Sequence, residues 1–179
     1  MDSNSRLVVG SFITAFQSQK QMAEKAVNQL PDDQLHRALD DNTNSLAVIM
    51  KHMAGNLRSR FTDFLTTDGE KPDRDRDSEF VDDAPGRAAL MSHWEQGWKC
   101  LFDALAPLSD ADLARTITIR GQPHSVADAL ARALAHQGYH VGQIVQLARF
   151  LAKDRWQTLT IPRGGSRGFN DTMQKKHQQ

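Results

Sequence analysis

Four long stretches of this chain space their apolar residues at the three- and four-residue intervals of an amphipathic helix. The spacing predicts helices over about 5–30, 44–65, 85–106 and 126–153. Pro31 and Pro107 follow two of these stretches, and capping side chains precede the other two, at Ser45 and Ser125. Helices with one apolar face must bury those faces against each other. The sequence therefore predicts an all-α fold, a four-helix bundle formed by residues 1–155.

The segments between the helices are long and differ in character. Residues 70–83 are rich in charge and predict an exposed surface loop, and 116–123 alternate β-branched residues as in a short hairpin. After the fourth helix, 156–161 reads as extended chain and 162–168 as a flexible basic loop. We therefore expect residues 156–179 to form a C-terminal extension that packs on the bundle or on a partner subunit.

The composition narrows the choice of partners. Lys and Arg total 22 residues, as do Asp and Glu, so the formal charge is zero and neither nucleic acid nor an anionic membrane is expected to bind. Cys100 is the single cysteine, which excludes an internal disulfide and fits a reducing cytoplasm. No stretch approaches the roughly 20 apolar residues of a membrane span, and the short apolar run 7–13 does not fit a signal peptide. We expect a cytoplasmic protein.

A pair of histidines on the fourth predicted helix carries the clearest chemical signal. His136 and His140 are four residues apart, so their side chains lie on one face and can converge on one divalent metal ion. The motif is similar to the zinc-protease helix signature, which needs a Glu directly after the first His. Gln137 occupies that position and cannot take up a proton, so a protease function is excluded. Tyr139 is expected to point away from both histidines.

A third ligand must come from another part of the chain. His52 lies three residues after Ile49, on the flank of the apolar stripe of the second helix, and should point into the bundle. The other histidines lie in polar segments, at a helix start or beside a tryptophan: His36, His177, His124 and His93. The best set is therefore His52, His136 and His140. For each of the three, the competing interpretation is a hydrogen-bonded core histidine without a metal.

Three segments of the sequence carry a family resemblance: HMAGNLRSRF at 52–61 with DGE at 68–70, HQGYHVGQI at 136–144, and WQTLTIPRGGS at 156–166. They resemble the DinB/YfiT-like superfamily of metal-dependent four-helix-bundle proteins, and in particular one uncharacterised subfamily. The resemblance covers nearly the whole chain. It implies a bundle in which one histidine of helix two and a pair of helix four bind a divalent metal, here His52, His136 and His140. It also implies that transfer of a low-molecular-weight thiol is possible, and that the protein is a homodimer.

Three neutral imidazoles without a carboxylate leave open coordination positions, as in catalytic metal sites, and zinc or nickel suits them best. Asn56 and Gln143 lie one turn after His52 and His140, where they either hydrogen-bond the ligands or form the polar edge of the bundle. Arg163 and Arg167 lie among glycines and either close over an anionic substrate, remain solvated or cross to a second subunit. The sequence identifies no catalytic residue beyond the ligands.

Two classes of function follow. The first is a metal-dependent enzyme, a thiol transferase or a hydrolase, that acts on a small molecule and uses a low-molecular-weight thiol cosubstrate in the transferase case. The alternative is a non-catalytic stress-associated or interaction protein whose metal site is structural or vestigial. Apolar residues in the extension, Trp156, Leu159, Ile161 and Phe169, favour a two-fold homodimer in which the tail contributes to the contact or lies over the metal pocket.

Overall fold

The computed structural model describes residues 3–176, and its fold is predominantly helical, as the sequence predicts. Four long helices and one short helix form the chain's frame: α1 (Leu7–Val27), α2 (Leu46–Phe61), α3 (Arg87–Leu105), α4 (Val126–Ala152) and α5 (Ser166–Lys176). One antiparallel hairpin, β1 (Thr116–Ile119) and β2 (Gln122–Ser125), connects α3 to α4 and confirms the extended excursion expected at 116–123. Within residues 3–176, every helix is too short or too polar to cross a membrane.

The helix starts follow the capping side chains. Ser45 Oγ accepts a hydrogen bond from Val48 N at 3.2 Å, and Ser125 Oγ accepts one from Asp128 N at 3.0 Å, which fixes the first turns of α2 and α4. The predicted end of α2 near residue 65 is wrong, because the helix stops at Phe61. Asp63 adopts a φ of 48°, a left-handed conformation that cannot continue an α-helix.

The long helices pack α2 against α3 and α1 against α4, and α2 also contacts α4. Trp94 and Trp98 of α3 are completely buried in the shared core with Phe16 of α1. Gly97 lets α3 approach α2 closely, since a Cβ at that position would lie 2.6 Å from Ala54 Cα. This close packing holds α2 with His52 directed toward α4, which is what positions the candidate site.

The charged segment 70–83 is mostly exposed, as its composition predicts, but it also contains a buried ion pair. Its Arg74 and Glu79 side chains are only 5% and 8% exposed, because the segment folds back against α2. Each buried charge has an oppositely charged partner, and paired charges with full hydrogen bonding can be buried where isolated ones cannot. His36, expected in a polar segment, is also held in place, with Asp82 Oδ1 at 2.8 Å from its Nδ1.

The C-terminal extension begins by packing on its own chain. Trp156 and Leu159 are partly buried against the core, and Gln157 N donates to Gln29 Oε1 at 2.7 Å. The expected flexible loop at 162–168 is wrong at its end, because α5 starts at Ser166. None of the described residues of α5 is buried, so this helix has no apolar face in the core that would mark it in the sequence. His177 lies outside the described residues.

Candidate metal centre

The structure brings together the three histidines selected from the sequence. One ring nitrogen from each of His52, His136 and His140 lies within 4.8 Å of the others. His52 Nε2 lies 3.3 Å from His136 Nε2, and the ring centroids of His136 and His140 are 4.6 Å apart. His52 is buried on α2, while His136 and His140 are half-buried on one face of α4. We call these three residues the triad.

His52 is oriented by a buried ion pair that the sequence does not reveal. Its Nδ1 donates to Glu79 Oε2 at 2.9 Å, which leaves Nε2 directed at His136. Arg74 donates to both Glu79 oxygens at 2.8 Å, from Nε and from Nη2. Burial disfavours the Glu79 carboxylate, yet the hydrogen bonds from His52 and Arg74 outweigh it and hold the Glu79 pKa below its usual range. A Cβ at Gly55 would overlap Glu79, so the glycine makes this contact possible.

Gln143 hydrogen-bonds His140, whereas Asn56 makes no such contact with His52. Gln143 Oε1 accepts a hydrogen bond from His140 Nδ1 at 2.7 Å, and Gln143 Nε2 donates to the Tyr139 hydroxyl at 3.2 Å. Tyr139 was expected to point away from the histidines, but its ring packs edge-on against His140 with centroids 5.0 Å apart. Asn56 lines the cavity beside His52 and makes no side-chain hydrogen bond to another residue of the described range.

Gln137 is completely buried next to His136, and its hydrogen bonding is incomplete. Its Nε2 lies 3.4 Å from His136 Nδ1, while its Oε1 is buried without a hydrogen-bond partner among residues 3–176. A 180° rotation of the Gln137 side-chain amide exchanges the positions of Nε2 and Oε1. Oε1 can then accept a hydrogen bond from His136 Nδ1. In that arrangement every triad histidine donates from Nδ1 to a side-chain oxygen and keeps Nε2 free, as metal-binding histidines usually do.

A cavity of about 200 Å³ opens beside His52 and His136. We call it the arginine cavity, because five of its lining residues are arginines: Arg60, Arg74, Arg76, Arg120 and Arg132. Its apolar walls include Phe61, Phe64 and Ile119. The two arginines proposed from the sequence, Arg163 and Arg167, are exposed in the extension and do not line this cavity. Their role in substrate binding stays a prediction.

Comparison with known families covers nearly all of the chain. A family model described as "Protein of unknown function (DUF1572)" matches residues 3–165, a span that includes the whole triad and Glu79. The chain belongs to the DUF1572 family. No curated protein matches this DUF1572 chain, so the comparison assigns no reaction. The matched span ends before α5, which lies outside the part shared with the DUF1572 model.

His136 and His140 of this DUF1572 protein are held in the uncharged form. Burial, together with electrostatic repulsion from His140, His52 and nearby arginines, lowers the pKa of His136 to about 3. Burial also lowers the pKa of His140, against the opposing effect of its hydrogen bond to Gln143. A metal-binding imidazole must be unprotonated, so both residues of α4 are available as ligands at neutral pH.

The donor set of the DUF1572 chain fits a divalent transition metal. Three imidazoles offer nitrogen atoms and no carboxylate belongs to the cluster, a set that suits zinc or nickel better than magnesium or calcium. Glu79 and Gln143 already fix two of the rings, and Gln137 can fix the third. Two of these supporting residues, Glu79 and Gln137, are absent from the sequence prediction. Gly55, one turn after His52, is the only local signal that a side chain lies against this part of α2.

Proposed function

We propose that this DUF1572 protein is a metal-dependent enzyme that acts on a small molecule. The scaffold is a four-helix bundle of the DinB/YfiT-like type, and His52, His136 and His140 are the ligands of zinc or nickel. The observation that supports this most directly is the approach of three ring nitrogens to within 4.8 Å at the edge of a cavity. A non-catalytic protein with a structural metal would need its fourth position closed by a protein ligand, and the described residues offer none to the triad.

Thiol transfer is the reaction that the surroundings of the triad favour. A divalent metal bound by three imidazoles supplies activation of a coordinated thiol or water, by lowering its pKa toward neutrality. Within the described residues, no Asp or Glu side chain lines the arginine cavity, so no carboxylate is placed there as general base for water. A low-molecular-weight thiol needs less help from a base, because its pKa of about 8.5 lies far below the pKa of water, about 15.7. Hydrolysis would have to proceed without such a base.

The chain's own residues perform three tasks in this proposal. Glu79 and Gln143 hold the rings of His52 and His140 in one orientation. Burial keeps His136 uncharged, so that it does not compete with the metal by binding a proton. The arginine cavity leaves room next to His52 and His136 for the reacting end of a small molecule.

A conjugation assay tests the reaction. Full-length protein purified without a histidine tag is loaded with zinc or nickel and incubated with glutathione or cysteine and a panel of small electrophiles. We expect faster consumption of thiol than in the metal-free protein, and loss of that difference in the variant His136→Ala. Release of a hydrolysis product without consumption of thiol would contradict thiol transfer and favour the hydrolase. If neither thiol transfer nor hydrolysis occurs with zinc or with nickel, the enzymatic proposal is contradicted for these substrates.

A further inference from the structure

The arginine cavity concentrates positive charge in a protein whose formal charge is zero. It has five arginine side chains in its lining, and no Asp or Glu side chain of the described residues lines it. The carboxylates that form ion pairs with these arginines are Glu70 and Glu79, which approach from outside the lining. Two carboxylates cannot balance five guanidinium groups, and a divalent metal at the triad would add further positive charge.

The arginines differ in how many of their donors are already used. Arg74 is fully engaged by Glu79 and Glu70. Arg60 donates to Glu70 from Nη2, while its Nη1 is buried without a hydrogen-bond partner among the described residues. Burial and the nearby charges of other arginines outweigh Glu70 and lower the pKa of Arg60, as expected for crowded guanidinium groups. Arg132 makes no ion pair within residues 3–176, so its guanidinium is available to a ligand.

Arg120 lies at a backbone position that an arginine rarely occupies. It and Gly121 form the two-residue turn between β1 and β2, with φ values of 53° and 73°. Both values are positive, which defines a turn that strongly prefers Asn or Gly at its first position. Asp68 holds the turn in place, because its carboxylate accepts hydrogen bonds from Arg120 N and Gly121 N, each at 2.8 Å. The strained arginine reaches the cavity from this fixed turn.

Arg76 connects the cavity to the triad through a stack of rings. Its guanidinium carbon lies 4.8 Å from the centre of the Phe80 ring, and the Phe80 ring packs on His52 with centroids 4.6 Å apart. Arg76 makes no ion pair within the described residues, so its charge is not neutralised by the protein. The charge of Arg76 is therefore separated from His52, a proposed metal ligand, by one aromatic ring.

We propose that the arginine cavity binds an oxyanion, a carboxylate or a phosphate group, of the small molecule on which the triad acts. Arg132 and Arg76 supply free donors, and Arg120 adds its two Nη groups, since only its Nε donates to Glu70, at 2.9 Å. Arg60 and Arg74 form the positively charged wall behind them. Planar guanidinium groups bind both kinds of oxyanion through paired hydrogen bonds. The inference rests on the proposed function for the role of the triad, but binding of the anion itself does not require the metal.

The test uses metal-free, full-length protein and isothermal titration calorimetry with three probes: inorganic phosphate, succinate and the uncharged succinamide. We expect saturable binding of phosphate or succinate and none of succinamide. Saturation by phosphate alone would identify a phosphate-bearing substrate, and saturation by succinate alone a carboxylate-bearing one. If neither anion binds saturably, the inference is wrong.

The variants Arg132→Gln and Arg120→Asn test whether the anion binds in the cavity, and Arg149→Gln is the matched control. Arg132→Gln should weaken binding of the anion by about tenfold or more, as expected for loss of a charged hydrogen bond. Arg149→Gln removes an exposed arginine from the same helix but outside the cavity, and should leave the affinity unchanged. Equal affinities in the two variants would overturn the inference and indicate an adventitious ion only.

Arg120→Asn separates a binding role from a structural one. Asn suits the left-handed turn better than Arg, and the exposed ion pair with Glu70 that is lost contributes little to stability. We therefore expect an equal or higher melting temperature together with about tenfold weaker anion binding. A lower melting temperature with unchanged anion affinity would show that Arg120 is structural. Metal content is measured in parallel. Normal metal binding in Arg132→Gln with unchanged anion affinity would overturn this inference alone, whereas metal retained by His136→Ala would overturn the proposed function alone.

Discussion

His52 Nδ1 donates a hydrogen bond of 2.9 Å to Glu79 Oε2, which joins a proposed ligand on α2 to a segment that the sequence presents as exposed. The contact fixes the tautomer of His52, so that its lone pair is on Nε2 and faces His136. Arg74 holds the carboxylate from its other side. The geometry of the triad therefore depends on residues that have no metal-binding role of their own.

Replacing Glu79 should weaken metal binding without removing a ligand. In Glu79→Gln the side chain keeps its size but loses its charge, so His52 is oriented less firmly and Arg74 loses its buried partner. We expect about 10- to 100-fold weaker metal affinity and a destabilisation of about 3–5 kcal/mol. Affinity is measured by competition with a chelator and stability by urea unfolding. Asp73→Asn removes an exposed carboxylate of the same segment and serves as the control. Wild-type metal affinity in Glu79→Gln would contradict the positioning role.

Replacing Gln137 should lower the affinity for metal without lowering the stability of the metal-free protein. Its buried Oε1 has no partner within the described residues, and such an atom costs about 1–3 kcal/mol. Gln137→Leu removes that cost, so the metal-free protein should be at least as stable as the wild type. The same change removes the side-chain oxygen that, once the amide rotates, accepts a hydrogen bond from His136 Nδ1 in the metal-bound protein, and metal affinity should fall. Thermal melting and chelator competition measure the two effects. A variant with lower metal-free stability and full metal affinity would show that Gln137 is only a core residue.

The metal-free protein should lose stability as the pH falls through the range between the unfolded and folded pKa values of His136. Burial lowers that pKa from 6.5 to about 3, so between these values the unfolded chain binds a proton that the folded chain does not. The contribution of neutral His136 to the free energy of unfolding is complete above the pKa of the unfolded chain and declines as the pH falls below it. We expect the difference in unfolding free energy between about pH 7 and about pH 5 to be smaller in His136→Gln than in the wild type. Equal differences in both proteins would contradict a buried neutral His136.

The proposed homodimer gives a prediction about α5. Phe169 and Met173 are four residues apart on this helix and are 47% and 37% exposed, so a partner subunit could cover both. We expect the full-length protein to be a dimer at micromolar concentration by sedimentation, and the double variant Phe169→Ser, Met173→Ser to be a monomer. A wild-type monomer under the same conditions would rule out the dimer. In that case the extension packs only on its own chain, where Trp156 and Leu159 already lie.

The features that the sequence predicts are those encoded over one or two helical turns. Ser45 and Ser125 mark helix starts because a cap needs only its own side chain and the next turn. His136 and His140 form a pair because their spacing is helical. His52 is found because it lies beside an apolar stripe. Each of these signals depends on residues close together in the chain, and each matches the structure.

The remaining features depend on contacts between distant segments. Glu79 reaches His52 from a segment without apolar periodicity, so composition alone places it in solvent. The arginine cavity is assembled from α2, the segment after it, the hairpin turn and α4, at Arg60, Arg74, Arg76, Arg120 and Arg132. No spacing rule connects these positions. The sequence prediction of Arg163 and Arg167 followed the local richness in glycine and arginine, which carries no information on where a tail lies.

Metal analysis of the untagged protein and of His136→Ala tests the triad most directly. His124→Ala is the control, because it removes a histidine of β2 that lies outside the triad. After dialysis against zinc or nickel, wild-type protein and His124→Ala should each retain about one metal ion per chain, as a single three-histidine site requires. His136→Ala should retain little metal while keeping its helical circular dichroism. Stoichiometric metal in folded His136→Ala would contradict the triad as the metal site.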